Sequence, residues 1–454
     1  MVIPKKGERI KIDIQSLAYG GIGVGKIDDY VVFVEGALPG ETVTAQIYKR
    51  KKNYAESRVL QIETESRFRI KPVCQHFPLC GGCRLQYLDY DKQAEFKKDQ
   101  LCDSFRQIGR LKNPPVSTLI KSDTPFYYRN KMEYSFGISY EGDLQLGLHP
   151  RRSYGRVFDL EECYLQSEES SKITAAIRKS AIELEISPYD IKKHNGLLRY
   201  CMIKEGKNTN QRMINIVTSE SAEEQVREII NHALVNAGDI DSIVNNVNTK
   251  KANIAYGEYE NLIQGNSYIT EDISGIKYRI SANSFFQTNS LSAAKLFDSI
   301  ENYIDLQGDE SVLDLYCGTG SISFSISKRA KRIVGVDSES SAIEDAIQNR
   351  ELNGITNCQF FTTDSLDYMK VLISEGKKYD VVIADPPRPG LHPKMIPLLG
   401  KLASPKFIYV SCNPAALARD YQMLTDVGYK LEDVTCVDMF PQTPHIESVA
   451  FFKM

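Results

Sequence analysis

Five short apolar runs in the last third of the chain each stop at a glycine-rich or polar step: SVLDLYCGTG, RIVGVD, CQFFTTDS, DVVIADPPRPG and FIYVSCNP, between residues 311 and 414. Helical stretches such as SESSAIEDAIQNRELNG lie between them. Runs of this kind are buried on both faces, and their alternation with helix is the pattern of an open parallel α/β sheet. A sheet of that type binds its ligand at the carboxyl ends of its strands. The residues that end the runs are therefore the candidates for function.

The first run ends at Gly318-Thr319-Gly320, where glycines let the backbone approach a ligand and a helix start adds free N–H donors. The second closes on Asp337, the place for a carboxylate that accepts both ribose hydroxyls of an adenosine. A dinucleotide site would carry the fuller G-x-G-x-x-G. The pattern D-x-x-x-G-x-G followed by an acidic strand end favours S-adenosylmethionine. Asp364 ends the third run, where it would sit beside the adenine, and Asp385 ends the fourth, ahead of a Pro-Pro step without N–H donors of its own. Asp385 reads either as a turn-former or as a ligand-facing carboxylate. The fifth run ends on Cys412, which reads either as a small packed hydrophobe or as a nucleophile on the same edge.

A chain of 454 residues exceeds the roughly 250–300 at which single cores stop growing, so more than one domain is expected. Residues 1–63 alternate apolar and polar in short runs, as a small β-barrel or sandwich does, and its last hairpin carries Lys49, Arg50, Lys51 and Lys52 between Tyr48 and Tyr54. That cluster is a phosphate and base contact surface or a solvated hairpin tip. Residues 64–285 mix strand and helix and are studded with Arg129, Lys131, Arg151, Arg152 and Arg156, a second surface suited to RNA. Residues 286–454 form the α/β unit. A net charge of −3 makes no global case for nucleic acid, so these local patches carry it. No apolar run nears the roughly 20 residues of a membrane span, and the first residues lack a signal-peptide core, so a cytoplasmic chain with no membrane partner is expected.

Ten cysteines in such a chain argue for metal binding or catalysis over disulfides. VCQHFPLCGGC spaces Cys74, Cys80 and Cys83 around a Gly-Gly turn, and Cys163 follows in LEECYLQ. Four thiolates hold either zinc or a [4Fe–4S] cluster, and the spacing does not choose. His76 is an alternative ligand.

Near the C-terminus, HIESVAFF brings Glu447 into an apolar last strand, as an ion-pair partner or as a general base whose pKa burial raises. A thiol and a base together suit methylation of pyrimidine carbon 5: the thiolate adds to carbon 6, carbon 5 becomes nucleophilic, and the base later removes its proton. FFQTN, DLYCGTG, DPPRPG, YVSCNP and HIESVA occur in this order, which resembles the RNA 5-methyluridine (uracil-5) methyltransferases over the whole chain. The resemblance implies a Rossmann-like S-adenosylmethionine-dependent methyltransferase domain, preceded by a TRAM β-barrel that binds RNA and a mixed α+β central domain. It makes Cys412 the nucleophile and Glu447 the base. Gln287, Tyr316, Asp337 and Asp385 would then line the cofactor and uracil pockets. Many members carry glutamate where this chain has Asp337, whose shorter arm still accepts both hydroxyls. The cysteine spacing resembles the iron–sulfur branch, which makes Cys74, Cys80, Cys83 and Cys163 ligands of a [4Fe–4S] cluster. Barrel and cysteine cluster together resemble the branch acting on 23S rRNA, as a monomer. The alternatives are a tRNA uracil-5 methyltransferase and a catalytically silent RNA-binding chaperone.

Overall fold

The computed structural model describes residues 3–139, 141–153, 155–234 and 240–454. Six strands open the chain: β1 (Arg9–Asp13), β2 (Ser16–Ala18), β3 (Ile22–Ile27), β4 (Tyr30–Glu35), β5 (Thr42–Arg50) and β6 (Tyr54–Thr64), in the order β1-β5-β6-β4-β3-β2. Their alternate residues, among them Ile12, Val32, Val34, Val43 and Ala45, fill one core. All pairs are antiparallel except β4 with β6. The Lys49–Lys52 tip of the β5–β6 hairpin is exposed.

After helix α1 (Tyr90–Gln107) and strand β7 (Val116–Ile120) comes a second sheet, ordered β10-β9-β8-β11-β12-β13-β14. Its strands are β8 (Lys131–Ile138), β9 (Leu144–Leu148), β10 (Phe158–Asp159), β11 (Leu198–Glu205), β12 (Arg212–Thr218), β13 (Ser242–Val247) and β14 (Tyr259–Gly265). Helices α2 (Glu168–Glu183) and α3 (Glu223–Ala233) cover one face, with Ile173, Ile177, Val226 and Ile229 packed on Ile203, Ile214 and Ile216.

A hairpin, β15 (Tyr268–Ile273) and β16 (Ile276–Ser281), leads into the third sheet. There β17 (Ser311–Leu315), β18 (Arg332–Asp337), β19 (Cys358–Thr362), β20 (Val381–Ala384) and β21 (Lys406–Ser411) run parallel, and β22 (Lys430–Val437) and β23 (Glu447–Lys453) complete the edge. The order is β19-β18-β17-β20-β21-β23-β22-β7. Helices α4 (Ser290–Ile304), α5 (Ser321–Ile326) and α6 (Ser340–Leu352) cover one face, while α7 (Ser365–Ser374), α8 (Met395–Leu402) and α9 (Pro414–Asp426) cover the other with α1. This is the Rossmann-like methyltransferase architecture, and strand order reverses between β17 and β20, where a ligand crevice opens.

Packing does not follow the sequence boundary at residue 286. Strand β7 pairs with β22, α1 packs on α9, and the β15–β16 hairpin shares a core with α4 and α5. All three elements belong by sequence to 64–285, yet their apolar residues pack in the cores of the third sheet. The barrel is fastened in turn: Arg69 forks onto the Glu41 carboxylate at 2.6 and 2.8 Å, and the Tyr87 hydroxyl donates to the Gly21 carbonyl at 2.8 Å. Arg152, on the surface expected to face RNA, pairs with Glu35 and donates to the Tyr48 hydroxyl of the barrel while its side chain stays exposed. No helix among the described residues is long and apolar enough to cross a membrane.

Candidate active site

The crevice begins where β17 ends. Tyr316 takes a left-handed backbone, φ 63°, which is costly for a residue with a Cβ and is kept where the surroundings over-determine it. Gly318, φ 53°, donates its N–H to Asp337 Oδ2 at 3.0 Å, and a Cβ built on it would meet nothing within 4 Å, so the turn opens onto free space. Asp337 Oδ1 accepts from Glu339 N–H at 3.0 Å. Gly320, φ 81°, is a packing glycine instead: a Cβ there would strike Phe324 at 2.7 Å. Asp364 caps α7, accepting from the N–H groups of Leu366 and Asp367 at 2.9 and 3.2 Å. Its charge still reaches the crevice, because with burial it helps push the Tyr316 hydroxyl up to about 12.

Beneath the turn lies Asp314, fully buried in β17. One carboxyl oxygen accepts from the Ser323 hydroxyl at 2.6 Å, and the other has no partner among the described residues. The open glycine turn with the Asp337 carboxylate beside it fits a ligand carrying a sugar, as S-adenosylmethionine does. Burial raises Asp314 from 3.8 to about 7. Across that window the folded chain therefore binds more protons than the unfolded one, and stability falls as pH rises through it. Asp314→Asn is expected to flatten this dependence and to raise stability at pH 8 by on the order of a few kcal/mol, while weakening methyl-donor affinity. Thermal unfolding against pH and calorimetric titration check the two halves.

Asp385 follows β20, and Cys412 follows β21. Why the thiol sits before Asn413 and Pro414 is a matter of capping. Asn413 Oδ1 accepts from Ala415 and Ala416 N–H at 3.1 and 3.4 Å and starts α9, with Pro414 at its first turn. The Asn413 amide also donates to the Arg388 carbonyl at 3.0 Å, while Asp420 accepts from Leu391 N–H at 2.8 Å. The loop carrying Asp385 and Arg388 is thus locked to the helix that begins at the thiol.

Strand β23 runs antiparallel to β21 with Ser411 opposite Ser448, so the next step sets Cys412 beside Glu447. Glu447 is buried, and its carboxyl is held well above the usual range by burial and by Asp385, with Arg388 opposing. Cys412 is half-buried, and its thiol is pushed up to about 11 by burial and then by the carboxylates of Glu447 and Asp385. The positive charge of Arg388, whose Nη2 lies 3.0 Å from His445 Nδ1, pulls the other way. Asp385 itself is raised to about 7, by burial and then by Asp314. Thiol, carboxyl pair and guanidinium form one electrostatic unit in which a proton on any member is felt by the others.

The segment Pro441 to His445, which delivers Glu447, is tied down from three sides. Gln442 accepts from Arg84 and Leu85 N–H at 2.8 and 3.0 Å and exchanges hydrogen bonds with the Gln93 amide; the Tyr128 hydroxyl donates to the Pro441 carbonyl at 2.9 Å. Lys97, fully buried, pairs with Asp438 at 2.7 Å. His445, pushed down to about 4 by burial and by Arg388, meets the Tyr19 hydroxyl of the barrel at 3.0 Å. Gln287 is half-buried between β16 and α4; its carbonyl accepts from the Asn130 amide at 2.7 Å, and the neighbouring Asn289 amide donates to the Met439 carbonyl at 3.1 Å. Arg388, His445 and Tyr19 are residues that sequence reasoning left without a role at the thiol. Arg388 stood in the quoted DPPRPG, whereas Tyr19 carried no signal, since its contact exists only once the barrel docks.

Away from the sheet edge, a cavity of about 330 Å³ is lined by Cys74, Cys80, Cys83 and Cys163 together. Burial raises all four thiols, Cys83 to about 12 and Cys163 to about 11, and for Cys80, Cys83 and Cys163 the charges of neighbouring cysteines add to it. No three His, Cys, Asp or Glu among the described residues are grouped tightly enough to hold a metal ion. Four thiols lining one cavity are a donor set suited in chemistry to zinc or to an iron–sulfur cluster. His76 is unsuited as a replacement ligand through Nε2, which accepts the Glu161 N–H at 3.1 Å.

Residues 236–454 match the family model of tRNA (Uracil-5-)-methyltransferase, and residues 5–60 match the TRAM domain. The chain is 38% identical over 99% of its length to an uncharacterized RNA methyltransferase of Halalkalibacterium halodurans, covering 98% of that protein. A Listeria monocytogenes RNA methyltransferase gives the same identity and coverage. Among solved structures, the tRNA (uracil-54, C5)-methyltransferase of Pyrococcus abyssi in complex with S-adenosyl-L-homocysteine superposes with a TM-score of 0.78 at 31% identity, over 98% of this chain and 100% of that one.

Proposed function

The chain belongs to the S-adenosylmethionine-dependent RNA uracil-5-methyltransferases and carries their TRAM domain, and from this premise we propose that it methylates carbon 5 of a uridine in 23S rRNA through a covalent bond from Cys412 to carbon 6. The observation that carries the reading is the adjacency of Cys412 and Glu447 on paired strands, at the edge where Tyr316, Gly318, Asp337 and Asp385 open the crevice. Bound there, S-adenosylmethionine supplies an electrophilic methyl group.

Cys412 gives up its proton to solvent as the sulfur bonds to carbon 6, and the positive charge of Arg388 favours the thiolate. Electron density moves from the carbon 5–carbon 6 bond toward O4, and carbon 5 takes the methyl group. Glu447 then removes the carbon 5 proton, the double bond re-forms, and the thiolate leaves. Gln287 and Asp385 line the uracil pocket, while Asp337 and Asp364 serve the adenosine. A target base must leave its stack to bring carbon 6 to the thiol, at a cost of a few kcal/mol, roughly, which backbone contacts by the barrel and central unit offset.

The fused barrel and the four-cysteine cavity favour 23S rRNA, because they resemble that branch of the family more than the shorter bacterial tRNA branch. A second reading, a tRNA substrate, draws on the Pyrococcus abyssi enzyme, whose match spans this whole chain. Mapping 5-methyluridine in ribosomal and transfer RNA from a strain lacking the chain separates them. Loss from 23S rRNA supports the first reading, loss from tRNA the second, and no loss from either sinks both.

We propose further that the cysteine cavity seats a [4Fe–4S] cluster held by Cys74, Cys80, Cys83 and Cys163. Its place in the molecule is structural, since Arg84 and Leu85, directly after Cys83, hold Gln442 ahead of the catalytic carboxylate. Anaerobically purified protein is expected to contain iron and to absorb broadly in the visible, and Cys80→Ser to lose both. Stoichiometric zinc without iron would overturn the cluster.

A further inference from the structure

A second cavity, of about 210 Å³, opens on the face of the central sheet that α2 and α3 leave uncovered. Its lining includes Tyr189, Tyr200, Arg199, Lys192 and Asn253. Arg199 is only 3% exposed and builds the site. Its Nη1 donates to the carbonyls of Asn248 and Lys250 at 2.7 and 2.6 Å, its Nη2 to that of Ala252 at 2.6 Å, and its Nε has no partner among the described residues. The same guanidinium lies 4.5 Å from the centroid of the Tyr189 ring. One buried cation therefore fixes two segments at once.

Each segment carries a lysine pair. Asp190 accepts from Lys192 and Lys193 N–H at 2.8 and 3.1 Å and shapes one tip; Lys250 and Lys251 ride on the loop that Arg199 pins, next to Asn253. Their ion pairs are long and exposed, Lys193 to Asp190 at 4.0 Å and Lys250 to Glu258 at 3.7 Å, so most of their charge is left for a ligand. Lys192 lines the cavity with Lys193 next to it in sequence, and Lys250 and Lys251 flank the carbonyl contacts that seat Arg199; an aromatic-walled cavity with lysines on both adjoining segments matches a planar base flanked by phosphates. The sheet also points it at the chemistry: Tyr200 pairs with Ser135, Met202 with Glu133 and Lys204 with Lys131, and the next residue, Asn130, holds the Gln287 carbonyl. Lys131 Nζ lies 5.5 Å from the ring centroid of exposed Tyr256.

We propose that this cavity captures a second unstacked base of the RNA substrate, a few nucleotides from the target uridine, with the neighbouring phosphates gripped by Lys192, Lys193, Lys250 and Lys251. The inference rests on the reading of the chain as an RNA methyltransferase. It assigns substrate selection partly to a site remote from the thiol.

The chain has no tryptophan, so Tyr189→Trp installs a single reporter that keeps an aromatic face on Arg199. Unmodified transcripts of 23S rRNA and of tRNA are titrated in turn, with methyl transfer measured on the same samples. Quenching that saturates with the methylated transcript, and is absent with uridine or adenosine monophosphate at equal concentration, is the expected result. Methylation without quenching would overturn the pocket and leave the function standing. Quenching by a transcript that is never methylated would keep the pocket and sink the function. Equal quenching by free mononucleotides would give the cavity to a small ligand instead, and quenching by a bound protein but not RNA would make it a protein interface. As an independent arm, replacing the four lysines by alanine should raise KM for RNA and reduce the slope of log affinity against log salt by about 0.7 for each phosphate lost, with S-adenosylmethionine affinity unchanged. An unchanged slope overturns the phosphate grip.

Discussion

Cys412→Ala is expected to abolish 5-methyluridine formation, a fall on the order of 10⁶-fold by the scale on which covalent nucleophiles are lost. The step that disappears is the first one. Without the sulfur, carbon 5 never becomes nucleophilic, so saturating methyl donor and RNA cannot restore turnover. The same variant should form no covalent adduct with RNA carrying 5-fluorouridine, whose fluorine cannot be removed as a proton and which traps the wild-type enzyme after methyl transfer. Denaturing gel electrophoresis reads the adduct directly. Because Cys412 is only half-buried and an alanine leaves the capping by Asn413 intact, the fold should be retained. An adduct that persists in the variant would move the nucleophile to another cysteine.

Glu447→Gln should act one step later and give the opposite signature. Addition and methyl transfer precede proton removal, so this variant is expected to accumulate covalent enzyme–RNA on normal uridine, with release slowed about 10²–10⁴-fold, the range of general base catalysis. Its pH dependence provides a second reading. Burial and Asp385 hold the Glu447 carboxyl well above its ordinary range, so the base form grows as pH rises. Release by the wild-type enzyme should therefore speed up with pH, whereas release by the glutamine variant should lose that dependence. Free turnover in the variant, or an unchanged pH profile, would place the base elsewhere. The glutamine also removes a carboxyl that is costly to ionise in the fold, so its unfolding midpoint at alkaline pH should not fall below wild type.

The two residues reach the site by different routes, and the same division runs through the whole molecule. Gly318, Asp337, Asp385 and Cys412 were legible from the chain alone. Each ends a buried run, and parallel strands joined by helical crossovers bring all their carboxyl ends to one edge. The capping of α9 by Asn413 and Pro414 was legible in the same sense, since capping is a local exchange of hydrogen bonds within a few residues. Local periodicity says nothing about which distant strands become neighbours. That β23 inserts antiparallel between β21 and β22, which sets Glu447 beside Cys412, is decided by the burial of Val449, Ala450 and Phe452 between two helical layers. The recruitment of β7 to the same sheet, the contact of Tyr19 with His445, and the ion pair of Arg152 with Glu35 follow likewise from docking. Each pairs residues far apart in sequence, where only the complementarity of packed surfaces selects the partner.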